Sequence, residues 1–103
     1  MLNNNKICVI GSGVSGLCSA IELADKGMEV HVFEKNKEIG GRARKFSSDG
    51  FTFDMGPSWY WMPDVFENFF KRFEKNLYDY VNLVKLNPGF QIIYNNETIQ
   101  IPE

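Results

Sequence analysis

The chain has 103 residues, of which 44% are hydrophobic, 15% aromatic and 23% charged, and its formal net charge is −2. That length allows one small domain, and the near-neutral balance offers no electrostatic footprint for nucleic acid, so no nucleic-acid partner is expected. No run of about 18 apolar residues marks a membrane-spanning helix, and the polar opening Met1-Leu2-Asn3-Asn4-Asn5 lacks the apolar core of a signal peptide, so a cytoplasmic location is expected.

Residues 6–10 are continuously apolar after Lys6, as a central parallel strand should be. A glycine turn, Gly11-Ser12-Gly13-Val14-Ser15-Gly16, follows and runs into a helical pattern over residues 15–26. Leu17, Ala20, Ile21 and Ala24 make one apolar face of that helix, and Gly27 is placed as its C-terminal cap. Residues 29–33 form a second strand that ends on an acid, Glu34. Strand, glycine turn, helix, strand and acid within about 30 residues is the order of a dinucleotide-binding βαβ unit. Gly11 permits the tight turn, Gly13 lets backbone approach a pyrophosphate, and Gly16 lets the helix pack closely on the strand. The helix N-terminus offers free N–H groups and a positive dipole end to phosphates. Glu34 suits ribose hydroxyls and repels a 2′-phosphate, which argues against an NADP-type ligand. The bland alternative is a glycine-rich turn in an ordinary α/β domain.

Cys8 and Cys18 fall inside the first strand and first helix. They read as small buried apolar residues of a reduced protein, not as a disulfide, and no metal site is expected. His31, the single histidine, sits mid-strand, which favours a core or surface role over catalysis.

Glu38-Ile39-Gly40-Gly41-Arg42-Ala43-Arg44 is a second glycine–arginine segment. Its paired glycines allow close backbone approach, and Arg42 offers a fork of donors suited to a phosphate; the bland alternative is a surface turn with solvated arginines. Residues 45–53 predict a short hairpin turning at Ser47-Ser48-Asp49-Gly50. Asp54-Met55-Gly56-Pro57-Ser58 breaks it, with a bare backbone at Gly56 and a stiff Pro57. The stretch 59–77 is the most aromatic of the chain. Pro63 suits a first helical position, and Val65, Phe66, Phe69, Phe70, Phe73 and Leu77 share one face of the helix after it. That stripe reads first as core; the alternative is that, with Trp59 and Trp61, it meets a lipid or lines a lipophilic tunnel. Residues 81–86, 90–94 and 98–101 predict three short strands, with turns at Asn87-Pro88-Gly89 and Asn95-Asn96.

The predicted architecture is α/β: a Rossmann-like βαβ unit followed by a hairpin, a helix and a short antiparallel β meander. A two-strand parallel sheet needs further parallel strands, and helices on both faces, before it is buried. The chain is therefore expected to be the N-terminal part of a larger domain.

With these residues in hand, the sequence resembles the FAD-dependent carotenoid (phytoene-type) desaturases, a branch of the wider flavin amine oxidase and protoporphyrinogen oxidase group. Three motifs carry the resemblance: V-I-G-S-G-V-S-G-L at 9–17, F-E-K-N-K-E-I-G-G-R-A at 33–43, and G-F-T-F-D-M-G-P-S at 50–58. The first two are shared by the wider group. The third, followed by an aromatic segment, a proline and a helix, looks more like the desaturase branch. The resemblance spans nearly the whole chain but only the opening portion of a typical member. It implies FAD as cofactor, with Gly11, Gly13, Val14, Ser15 and Gly16 around the pyrophosphate. Glu34 would meet the adenosine ribose, and Lys35 would lie near the adenine side. Gly41 and Arg42 would cover the phosphates, and Gly56, Pro57 and Ser58 would approach the flavin end. Residues 1–58 would then be the dinucleotide-binding part with its flavin-approach loops, and 59–103 the start of the substrate-side region. The resemblance further implies hydrogen removal from a lipophilic isoprenoid polyene at a membrane surface, with the flavin taking the hydride. It names no catalytic residue in this chain. Another flavin amine oxidase-like enzyme, or a non-catalytic FAD-binding piece, stays open as an alternative.

Overall fold

The computed structural model describes residues 5–57 and 59–102. It divides into two compact units, Met1–Trp61 and Met62–Glu103.

In the first unit, strand β1 (Lys6–Ile10), helix α1 (Val14–Asp25) and strand β2 (Glu29–Phe33) form the expected βαβ element. The strands pair in parallel, in register from Lys6 opposite Glu29 to Ile10 opposite Phe33. The helix begins and ends one residue earlier than its periodicity predicts. Its end is set by Gly27, whose φ is +79°. The Gly27 N–H reaches the Ala24 carbonyl at 2.9 Å and the Met28 N–H that of Leu23 at 3.2 Å, a double C-terminal cap.

Only one face of β1 is covered. Val9 lies against the start of α1, whereas Cys8 and Ile10 are exposed, Ile10 at 80%. Cys8 is therefore exposed and not buried as expected, and the uncovered second face is what a parallel sheet of two strands leaves open. Ile21 and Ala24 are likewise exposed on α1, and Ala20 is its buried residue. His31 sits at the surface, its Nε2 2.8 Å from the Glu29 carboxylate, and Glu29 also meets Lys6 at 3.5 Å.

Strands β3 (Lys45–Ser48) and β4 (Phe51–Asp54) form the predicted hairpin. Its two-residue loop places Asp49 at φ +51° and Gly50 at φ +84°, the double left-handed geometry that matches strand twist. Across it, the Phe46 and Phe53 rings stack with centroids 5.1 Å apart, and Ser47 and Thr52 share a hydroxyl bond of 2.9 Å.

In the second unit, helix α2 (Pro63–Lys71) starts on its proline and carries Asp64 in the first turn, as expected. It is shorter than the predicted stripe. Glu74 takes φ +55°, and bonds from Glu74 N–H to Lys71 O (3.1 Å) and from Lys75 N–H to Phe70 O (3.1 Å) close the helix. Leu77 is thus off the helix, in a 3₁₀ turn (Leu77–Asp79) capped by the Asn76 side chain. At 2% exposure it is the most buried apolar residue described. Phe69 packs edge-on against Phe73 (5.1 Å) and Phe70 meets Tyr80 (5.3 Å). The Phe rings of the stripe are half-buried against one another and no residue of α2 is fully buried, so the stripe is partly covered and falls short of the core it reads as first.

Strands β5 (Phe90–Tyr94) and β6 (Glu97–Ile101) form a second antiparallel hairpin around Asn95 at φ +53°. The expected antiparallel arrangement is present, but residues 81–86 form no strand. The ladder ends where Gly89 N–H bonds Ile101 O at 3.1 Å, and Pro88 before it has no N–H to extend the pairing.

Candidate dinucleotide-binding site

The end of α1 that faces the glycine turn is built by close backbone contact. Gly11 N–H bonds the Phe33 carbonyl at 2.7 Å, tying the turn to the end of β2. A Cβ at Gly16 would overlap the Gly11 carbonyl oxygen, so only glycine lets the helix seat there. Gly13 is the extended N-cap residue, and it caps the helix with no side-chain bond. The first turn holds no acidic residue, and Val14 and Ser15 are exposed. The N–H groups of that turn have no intrahelical carbonyl, so the end presents donors and a positive dipole to an anion. This donor set fits a pyrophosphate.

At the end of β2, Glu34 Oε2 accepts from both the N–H and the hydroxyl of Ser12, each at 2.8 Å. Its Oε1 accepts from the Asn36 N–H at 2.9 Å and the Asn36 side-chain amide at 2.7 Å. The Ser12 N–H leads the effects that hold the Glu34 carboxyl down at about 2, followed by the Asn36 N–H and the Ser12 hydroxyl. Glu34 is thus a firmly ionised acceptor, as a ribose contact requires. Ser12 and Asn36 are hydrogen-bond partners of Glu34 that the motif reading passed over. The available signal was a hydroxyl residue between the first two glycines, with an acid closing the next strand.

The second glycine segment lies directly against the turn. Gly40 N–H bonds Ser12 O at 2.9 Å, and Gly13 and Gly40 form a parallel bridge. A Cβ on Gly41 would come within 2.9 Å of Gly13 Cα. The 3₁₀ turn Gly41–Ala43 follows. Within it the two arginines divide: Arg42 is exposed, while half-buried Arg44 donates to Gly41 O at 3.3 Å and braces the segment. The third motif rests on the second, since a Cβ at Gly56 would overlap the Arg42 carbonyl oxygen. Glycine at 56 therefore has a packing reason besides the expected approach to a ligand. Lys35 and Pro57 are exposed; Ser58 lies outside the described residues. Among the described residues, no cluster of three His, Cys, Asp or Glu side chains is placed to hold a metal. No described helix is long and apolar enough to cross a membrane.

A parallel βαβ element, a glycine turn against a helix N-terminus and an acid at the end of the second strand define a Rossmann-like dinucleotide-binding module. The chain matches the model of the NAD(P)-binding Rossmann-like domain over residues 9–75 and belongs to that family. It is similar to the carotenoid 3,4-desaturase of Haloarcula japonica, 48% identical over 95 residues that cover 92% of this chain and 19% of that protein. It is also similar to the 4,4'-diapophytoene desaturase (4,4'-diaponeurosporene-forming) of Staphylococcus aureus. The identity there is 45% over 92 residues in strain Newman, covering 89% of this chain and 18% of that protein. In strain MRSA252 it is 44% over 98 residues, covering 94% and 20%. The chain spans about a fifth of the length of the curated relatives it matches. These similarities bear out the resemblance to carotenoid desaturases read from the three motifs.

Proposed function

We propose that this chain is the nucleotide-binding part of an FAD-dependent desaturase that removes hydrogen from a lipophilic isoprenoid polyene. The observation that carries the reading is the contact between all three motifs: Gly41 sits on Gly13, and Gly56 sits on the Arg42 carbonyl. An NAD site requires the turn and the acid. The second layer would add a donor fork on the phosphates and the third would carry the surface on towards a flavin.

In this reading Gly11, Gly13, Val14, Ser15 and Gly16 hold the pyrophosphate by backbone N–H groups, with Arg42 as a fork of donors on the same phosphates. Glu34 accepts from the ribose and Lys35 lies on the adenine side. Gly56, Pro57 and Ser58 form the approach to the flavin. Bound FAD supplies the oxidising equivalent. The substrate class rests on the names of the similar proteins. Substrates of that kind reside in membranes, so the working protein would act peripherally at the inner membrane face.

The test is expression of the full reading frame in cells that accumulate a colourless polyene such as phytoene. More conjugated, coloured products and a yellow protein that releases FAD on acid treatment are expected. A colourless protein that binds NADPH tightly would overturn the cofactor. Unchanged polyene with peroxide release from simple amines would move the enzyme to the amine oxidase group.

A further inference from the structure

Glu34 is the ribose acceptor of the proposed site, and its acceptor capacity is already taken by its own chain. A carboxylate offers two oxygens and about four lone-pair positions. The Ser12 N–H and hydroxyl fill Oε2, and the Asn36 N–H and side-chain amide fill Oε1. The two sides differ in how easily they let go. Ser12 is buried at 2% exposure, and its carbonyl is held by the Gly40 N–H. Its bonds cannot leave without moving the turn. Asn36 is exposed, and its amide can swing into water by side-chain rotation while its N–H stays in place.

We propose that Asn36 is an affinity- and specificity-determining residue of the ribose site, resting on the nucleotide reading above. Its amide occupies the position on Glu34 Oε1 that a ribose hydroxyl takes, and nucleotide binding displaces it. Ser12 is the positioning residue that keeps Oε2 anchored and the carboxylate aimed during that exchange. A ligand with ribose hydroxyls replaces the lost Asn36 bond. A ligand without them leaves Asn36 where it is and gains nothing from Glu34.

The experiment compares cofactor-free protein with and without Asn36→Ala, using calorimetric binding of ADP and of 2′,3′-dideoxy-ADP. ADP is expected to bind about three- to tenfold tighter to the variant, the range of one ordinary net hydrogen bond. Dideoxy-ADP should bind both proteins alike. Equal or weaker ADP binding by the variant, or the same gain with both ligands, overturns the displacement while leaving the nucleotide site standing. A folded wild-type protein that binds neither FAD nor ADP removes the site itself and the proposal with it.

Discussion

Ser12 and Glu34, 22 residues apart, are joined by two bonds of 2.8 Å, one from the serine N–H and one from its hydroxyl. With the Gly11–Phe33 bond of 2.7 Å, they lock the turn after β1 to the end of β2. The lock has a predictable acid dependence. The Glu34 pKa is lowered from 4.5 to about 2, first by the Ser12 N–H. A depressed folded-state pKa contributes stability above the ordinary value and loses it as pH falls from 4.5 towards 2. The carboxyl carbon of Glu34, followed by NMR, should titrate with a midpoint near 2. Ser12→Ala removes the hydroxyl and keeps the N–H, so its midpoint should rise only part of the way. A wild-type midpoint at the ordinary value would show that the lock does not form in solution.

Gly16→Ala tests the seat of α1. The added methyl meets a backbone carbonyl, that of Gly11, which cannot rotate away as a side chain can. Either the helix start or the turn must shift, at a cost of about 1–3 kcal/mol. Urea midpoint and nucleotide affinity should fall together, because the displaced N–H groups are those proposed to hold the phosphates. Unchanged values for both would mean that the turn yields freely.

The βαβ unit was legible because each of its signals is local: apolar strands, a glycine turn, a 3.6-residue period and Gly27 at the helix end. The hairpin at Asp49-Gly50 was legible for the same reason. The end of α2 was not, since Glu74 occupies the left-handed cap position that glycine or asparagine usually marks. The missing strand over 81–86 was not either, because its apolar residues and the Asn87-Pro88-Gly89 turn after it suit a strand, whereas no described strand pairs with it. At the site, the glycines and Glu34 could be read from spacing. The bond of Ser12 to Glu34 and the seating of Gly56 on Arg42 depend on contacts between segments that composition does not encode, and the local bonds of Asn36 and Arg44 depend on side-chain geometry that spacing does not fix.

The unusual cap of α2 makes its own prediction. Glu74 is held at φ +55° while its N–H and that of Lys75 close the helix. That conformation costs a residue with a Cβ about 1 kcal/mol and costs glycine little. Glu74→Gly should therefore raise the stability of the second unit by about 1 kcal/mol, less the entropy glycine adds to the unfolded chain. Helical circular dichroism against urea gives the measurement. Destabilisation would point to a side-chain role for Glu74 instead.

Gly56→Ala separates packing from ligand approach. If glycine at 56 matters because of the Arg42 carbonyl, the new methyl pushes the 40–44 segment and carries Arg42 out of place. Cofactor retention should then fall about tenfold. A second substitution identifies the route. In an Arg42→Ala background the guanidinium is already gone, so adding Gly56→Ala should cost much less than it does in the wild type. Strong non-additivity between neighbouring positions is the signature of a shared interaction. Full additivity would show that the methyl at 56 acts by blocking the ligand directly, and the seating on Arg42 would then be incidental to binding.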